Sequence, residues 1–268
     1  MHIVITNDDG IRAPGIHALA KAARKFGKVT VIAPDRNWSV CGHSKAIGRP
    51  LRLDAYDFPE ADAAWVSDGS PSDCSAFAGL GFLDEPVDLL LSGINPTPNL
   101  SQDATYSGTV MAAAEATFWG IPAAAFSIDC PRMKPELIDF SPAAWALPRV
   151  LAFLKENKLP PFTFLNVNCP SLPVSGIKGI RLTHFGTRIY KDVLIRKEDP
   201  FGRKYYWFGG DPPESDPQED TDGTMMQKGY ISITPVHQDL TAYHVLEQMK
   251  AWDWETGTAG HSGMPETR

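Results

Sequence analysis

Cysteine is scarce in this chain: four in 268 residues, Cys41, Cys74, Cys130 and Cys169, with no C-x-x-C pairing among them. That spacing excludes a disulfide frame or a zinc ribbon and reads as isolated reduced thiols in packing positions. No apolar run approaches the roughly 20 residues that cross a bilayer. The N-terminus enters a strand without the basic region, apolar core and cleavage site of a signal peptide, so the expected location is the cytoplasm. Positive charge is also short, with 25 Lys and Arg against 32 Asp and Glu and a net charge of −7. A nucleic-acid polymer or an anionic membrane needs a positive field to gather it, which excludes both as partners but leaves room for a small anion at one local site. Internal repeats and low-complexity segments are missing too. So is the G-x-G-x-x-G of a dinucleotide-dependent oxidoreductase: the first strand leads to Gly10 and Gly15, with two carboxylates where phosphate-cradling backbone would stand.

What is present is an ordinary globular composition, 43% hydrophobic, enough for one large core or two modest ones. Strand and helix signals alternate along the first two thirds. Strands are expected at His2–Thr6, Lys28–Pro34, Val87–Ser92, Pro122–Ile128 and Phe162–Asn168, and helices at Pro14–Phe26, Ser72–Phe82, Ser107–Trp119 and Ser141–Glu156. Strands that are apolar on both faces and separated by helices imply an α/β fold, a doubly wound, mainly parallel, Rossmann-like sheet covered on both sides. From about Ile177 the pattern changes. Ile180–Arg196 and Lys204–Phe208 read as two β segments joined by the turn KEDPFG, followed by an acidic, proline-rich stretch from Asp211 to Asp220, a returning strand at Tyr230–Thr234 and a helix at Asp239–Trp252. The expected organisation is a core over residues 1–176, then a β arm, returning strand and late helix over 177–254, and a disordered tail over 255–268. An arm carrying Tyr205, Tyr206 and Trp207 finds cover in a second subunit, so the arm and late helix are expected to serve oligomerisation.

Three of the apolar strands end in polar clusters: Asn7-Asp8-Asp9-Gly10, Asp35-Arg36-Asn37-Trp38-Ser39 and Gly93-Ile94-Asn95. In a parallel sheet these ends share one edge, where open α/β folds bind ligands. Each cluster by itself is ordinary turn and cap chemistry. Two adjacent aspartates exceed what a turn needs, however, and repel each other at a buried strand end unless a cation compensates. Asp8, Asp9, Asn95 and Ser39 offer only hard oxygen donors, with no histidine or cysteine in the clusters, which points to magnesium or manganese rather than zinc. A fourth stretch, YSGTVMAAAEATFWG, makes Ser107 an N-cap and Gly108 a point of close approach, so that the following helix directs its free N–H groups at an anion. His43, alone in its loop, reads as a solvated histidine.

With these residues in place the chain resembles the stationary-phase survival protein SurE family of metal-dependent 5′-nucleotidases. The resemblance runs in order through ITNDDGIRAPGI, VIAPDRNWSVCGHS, DGSPSDC, LLLSGIN, YSGTV, LNVNCP, DPFGRKYYWFGG and GYISITPV. It implies that Asp8, Asp9, Ser39 and Asn95 ligate one divalent ion per subunit, Mg2+ or Mn2+, that Ser107, Gly108 and Thr109 contact phosphate, and that the protein forms a homodimer or homotetramer. The expected reaction is hydrolysis of a nucleoside 5′-monophosphate to nucleoside and phosphate, with 3′-nucleotidase or exopolyphosphatase activity as further scope. A metal-bound water would attack phosphorus in line, oriented or deprotonated by Asp8 or Asp9. The alternative is a non-catalytic, metal-dependent nucleotide sensor. An aspartyl-phosphate mechanism does not suit adjacent aspartates, since it needs a second Asp two positions on. The chain departs from the family after Asn95: where the family has GINxGxNxG, this sequence reads GINPTPNLS, with Thr97 and Ser101 in the glycine positions.

Overall fold

The computed structural model describes residues 1–130, 137–255 and 257–259. Its centre is a nine-stranded sheet. The strands are β1 (His2–Thr6), β2 (Lys28–Pro34), β3 (Leu53–Ala55), β4 (Ala63–Ser67), β5 (Leu89–Asn95), β6 (Ala123–Ile128), β7 (Thr163–Cys169), β8 (Ile180–Leu182) and β11 (Ile231–His237), in the order β3-β4-β2-β1-β5-β6-β7-β11-β8. The pairs β1–β2, β1–β5, β2–β4, β5–β6, β6–β7 and β8–β11 are parallel, whereas β3 runs antiparallel to β4. All of β1, β5 and β6 is buried, which is why their sequences are continuous apolar runs rather than alternating ones.

Alternate side chains of each strand feed two cores. Ile3, Ile5, Val29, Val31, Leu89 and Leu91 pack with Ile16, Leu19 and Ala23 of α1 (Pro14–Ala23) and with Ala146, Leu147 and Val150 of α4 (Ser141–Glu156). Val4, Ile32 and Leu90 point the other way, toward Cys74 and Ala78 of α2 (Pro71–Gly79) and Val110, Ala113 and Ala114 of α3 (Gly108–Phe118). The period-2 alternation of the strands thus sorts residues between two helical layers. α1 is amphipathic, with Pro at its start. α3 is buried on every side through Thr117, so its alanines pack close to the sheet.

The elements expected at His2–Thr6, Lys28–Pro34 and Ser141–Glu156 form with those bounds, and others shift by a few residues. α2 begins at Pro71 because Ser70 and Asp73 close a capping box: Asp73 N donates to Ser70 Oγ at 3.1 Å and Ser70 N to Asp73 Oδ2 at 2.9 Å. The helix expected over Asp239–Trp252 is limited to α6 (Tyr243–Met249). Short strands β3 and β4 and the one-and-a-half-turn helix α5 (Asp222–Gln227) carry no strong periodic signal and are not evident in the sequence. Ile180–Leu182, read as part of the arm, is instead an edge strand of the parallel sheet beside β11. The arm itself consists of β9 (Arg188–Glu198) and β10 (Lys204–Ser215), an antiparallel pair that forms its own two-stranded sheet. Prolines 212 and 213 are accommodated where the register shifts between Asp211 and Glu214. Val193, Leu194, Tyr206, Trp207 and Phe208 on it are exposed.

Contacts divide the chain into a unit over Met1–Val236 and a small one over His237–Arg268. The latter holds α6 and a two-residue pairing of β12 (Trp252–Asp253) with β13 (Thr258–Ala259). Apart from residues 255 and 257–259, the tail read as disordered lies outside the described residues. Among the described residues no helix is long and apolar enough to cross a membrane.

One close approach decides how α1 meets β5. A Cβ on Gly15 would lie 2.0 Å from the Ile94 carbonyl oxygen, so no larger residue fits without moving backbone. Gly15→Ala is expected to lower the melting temperature by about 5 °C or more, a cost of roughly 2 kcal/mol for overpacking at a site that cannot yield. Thermal unfolding followed by circular dichroism checks this.

Candidate active and metal site

The chain leaves β1 toward β2 and β4 on one side, and later builds β5, β6 and β7 on the other, so the strand order reverses at the β1–β5 pair. Ligands in open α/β sheets bind outside the carboxyl ends of the strands at such a point. Here the residues after β1, the loop after β2, the end of β5 and the first turn of α3 meet. Asp8, Ser39, Asn95 and Ser107 all line one cavity of about 600 Å3. Asp9, Gly108 and Thr109 are not part of its lining.

The loop after β1 is held by backbone pairing. Asn7 Nδ2 donates to Gly10 O at 2.9 Å, Ile11 N to Pro34 O at 2.8 Å, and Trp38 N to Asp8 O at 2.7 Å, which ties the β1 and β2 ends together. Gly10 takes φ +95°, a left-handed conformation that suits glycine. Asp8 is 3% exposed. Thr109 Oγ1 donates to its Oδ1 at 2.5 Å. Burial raises the Asp8 pKa, opposed by hydrogen bonding from Thr109 and from the backbone at 108 and 109. Burial, with the charge of Asp8 second, pushes Asp9 up to about 7. The same two causes lift the half-buried Cys41 thiol to about 11, so it stays protonated. A Cβ on Gly108 would meet Asp8 Cβ at 2.7 Å and Cys41 Sγ at 2.8 Å; the glycine expected for phosphate approach is needed first for the approach of Asp8.

The donor set fits a hard cation. Asp9 Oδ2 is buried with no hydrogen-bond partner among the described residues. Asn95 Nδ2 donates to Thr97 O at 2.6 Å and Thr97 Oγ1 at 3.0 Å, which leaves its oxygen uncommitted. Ser39 is positioned through its N–H, which donates to Asn37 Oδ1 at 2.6 Å, and its hydroxyl stays available. No group of three or more His, Cys, Asp or Glu is arranged to hold a metal among the described residues; the set here is two carboxylates, an amide oxygen and a hydroxyl, as Mg2+ or Mn2+ prefers.

The loop after Asn95 departs from the glycine-rich pattern at two points, and both substitutions make bonds. Thr97 supplies the hydroxyl just described. Ser101 sits at φ +53°, where a glycine is favoured, and is held by Asp222, which accepts from Ser101 N at 2.6 Å and Ser101 Oγ at 3.1 Å. Ser107 caps α3 as the sequence suggests, its Oγ accepting from Val110 N at 3.1 Å.

Sequence reasoning missed a second cluster. His43, read as solvated, is half-buried: its Nε2 lies 2.8 Å from Glu115 Oε2 and its ring stacks on Phe118. Lys45 Nζ is 2.7 Å from Glu115 Oε1, and Trp119 Nε1 donates to the same oxygen at 3.1 Å. Ala46 N donates to Asp73. The loop that carries Ser39 is therefore pinned to α3 and α2. A helix-face glutamate and a loop histidine 72 positions apart share no local pattern that would have revealed this.

The model of the family described as survival protein SurE matches residues 3–192. The chain belongs to the SurE family. It is 42% identical over 255 residues to a protein from Chloroflexus aggregans named 5′-nucleotidase SurE, covering 95% of this chain and 100% of that one. It is 45% identical to a Carboxydothermus hydrogenoformans protein of the same name, covering 94% and 96%. The crystal structure of the SurE protein from Aquifex aeolicus superimposes with a TM-score of 0.79 at 38% identity, covering 93% of this chain and 98% of that one. The mostly parallel α/β sheet is thus the SurE fold.

Two pH effects follow. In protein stripped of divalent ions, Asp9 binds a proton in the folded state before it does so unfolded, so stability rises as pH falls from about 7 toward about 4. Melting temperatures across that range should show the rise, and Asp9→Asn should remove it. Glu115 behaves oppositely: burial disfavours its charge, but His43, Lys45 and Trp119 outweigh burial and hold it near about 2. Its contribution, on the order of 3 kcal/mol, is complete above about pH 4.5 and lost as pH falls toward 2. Glu115→Gln should lower the melting temperature at pH 7 by about 5 to 10 °C and flatten the acid limb of the stability curve.

Proposed function

We propose that this chain is a divalent-metal-dependent 5′-nucleotidase that hydrolyses nucleoside 5′-monophosphates to nucleoside and phosphate. One observation carries the reading: Asp8, Ser39 and Asn95, from three separate strand ends, line the same cavity as the N-cap Ser107. The relatives named 5′-nucleotidase SurE support it. So does the cavity volume, which far exceeds a lone phosphate and is lined beyond the donors by Pro98, Leu100 and Tyr106, apolar surface suited to a nucleoside.

Asp8, Asp9, Ser39 and Asn95 would hold one Mg2+ or Mn2+ per subunit, which when bound supplies Lewis-acid polarisation of the phosphoryl group and an acidified water. Thr109 fixes the Asp8 carboxylate by its hydroxyl, and Thr97 fixes the Asn95 amide with its oxygen outward. Asp9, whose buried Oδ2 has no hydrogen-bond partner among the described residues, would turn that oxygen to the ion, and one of the pair, Asp8 or Asp9, would orient or deprotonate the attacking water. Ser107 satisfies the Val110 N–H and lines the cavity, the backbone N–H groups of Gly108 and Thr109 bond the Asp8 carboxylate, and the positive end of α3 would favour the charge that develops on the phosphoryl oxygens. The exposed apolar residues of β9 and β10 would be covered in a homodimer or homotetramer, and the protein would work in the cytoplasm.

Asp9→Asn and Asn95→Ala should each lower manganese-dependent phosphate release from nucleoside 5′-monophosphates by about a hundredfold or more, with circular dichroism unchanged. Full activity in either variant would refute the assignment. Calorimetric nucleotide binding without turnover in the wild-type protein would favour the sensor instead.

A further inference from the structure

Of the four proposed donors, Ser39 has the least regular backbone around it. Residues 35–52, between β2 and β3, contain no helix or strand, and Ser39 is exposed along with residues 35–37 and Val40. Val40 takes φ +62°, a left-handed conformation that crowds a β-branched side chain. Such a backbone persists only where the chain is held on both sides of it. On one side Trp38 N donates to Asp8 O at 2.7 Å. On the other, Gly42 N donates to Tyr106 O at 2.9 Å, and the side chains of His43 and Lys45 both reach Glu115, whose own side chain is 4% exposed. His43 serves Glu115 Oε2, while Lys45 and Trp119 share Oε1. Trp119 is four residues along from Glu115 and orients the carboxylate without touching the loop.

We infer that His43, with Lys45 beside it, is a positioning residue: by gripping Glu115 it holds the strained Ser39–Val40 segment against the end of β1 and keeps the Ser39 hydroxyl with the other metal donors. The inference rests on the metal reading above and concerns the same site. α3 is the common frame. Its first turn fixes Asp8 through Thr109, and Glu115, about 9 Å further along the axis, fixes the loop that bears Ser39. The helix is buried on every side through Thr117, so neither attachment point can drift relative to the other. A buried carboxylate that loses its partners is costly, which makes release of the loop costly as well. The ring of His43 adds a second hold, stacked on Phe118 with centroids 5.5 Å apart. A strained segment between two anchors relaxes when one of them lets go, and Ser39 moves with it.

Mn2+ affinity is to be measured by calorimetry on protein stripped of divalent ions, without substrate and below the melting temperature of every variant. His43→Phe keeps a ring against Phe118 and leaves Glu115 bonded to Lys45 and Trp119, but removes the donor to Oε2; it should raise Kd for Mn2+ by about tenfold. His43→Gln, whose amide nitrogen takes the place of Nε2, should return Kd to within about threefold of the wild type. Ser39→Ala should raise Kd by about tenfold or more, and adding His43→Phe to it should change Kd by less than about twofold, because the hydroxyl through which His43 acts is already gone. Lys45→Met provides a second cycle with Ser39→Ala and the same expectation. A role in fold stability alone would lower the melting temperature and leave Kd where it was. Unchanged Kd in both His43→Phe and Lys45→Met, losses that multiply in full on Ser39→Ala, or no recovery in His43→Gln would overturn the inference. Unchanged Kd in Ser39→Ala, or no Mn2+ binding by the wild type, would instead overturn the metal reading on which it rests.

Discussion

Two carboxylates side by side at the end of a buried strand set the terms for everything around them. Asp8 is almost wholly removed from water, and Asp9 keeps one oxygen buried without a partner. Neither burial nor mutual repulsion favours their charged forms. The fold answers with Thr109, the first-turn amides of α3 and a glycine at 108 that lets the helix come close enough to offer them. What is left unsatisfied, chiefly on Asp9, is the capacity a divalent cation would fill.

That constraint explains why distant parts of the chain are tied down so firmly. The loop bearing Ser39 must stay near Asp8, and it is anchored at Trp38 N to Asp8 O, at His43 and Lys45 to Glu115, and at Ala46 to Asp73. In the loop leaving Asn95, Thr97 accepts from the amide nitrogen through its carbonyl and hydroxyl oxygens, which leaves the amide oxygen uncommitted. Asp222 does for Ser101 what absence of a side chain does for glycine, offsetting a left-handed backbone with two hydrogen bonds. The same loop then runs through Asp103 to the arm root, so the wall of the cavity and the base of the arm are one hydrogen-bonded assembly.

Much of this could be read from residue order. Continuous apolar runs marked β1, β2 and β5 as buried parallel strands, and parallel strands bring their polar ends to one edge; Asp8, Ser39 and Asn95 were therefore expected together, and they line one cavity. Ser107 was legible as a cap because capping is local chemistry. Ile180–Leu182 was misassigned to the arm because a three-residue edge strand has too few positions to show its face. The Glu115 cluster, the Arg188–Asp103 pair and the Asp222 anchor join residues 70 to 121 positions apart, and no periodicity encodes such pairs.

By itself the sequence determined the α/β class, the edge of the sheet at which Asp8, Ser39 and Asn95 meet, and the family, since each depends on local pattern or on the shared direction of parallel strands. Only the tertiary structure decided what each donor is bonded to: that Thr109 holds Asp8, that Asp9 keeps a free oxygen, that His43 is bound rather than solvated, and that the one cation lining the cavity among the described residues is already paired. Hydrogen bonds and charge pairs depend on distances of about 3 Å between groups far apart in the chain, and those distances exist only once the sheet has brought its edges together.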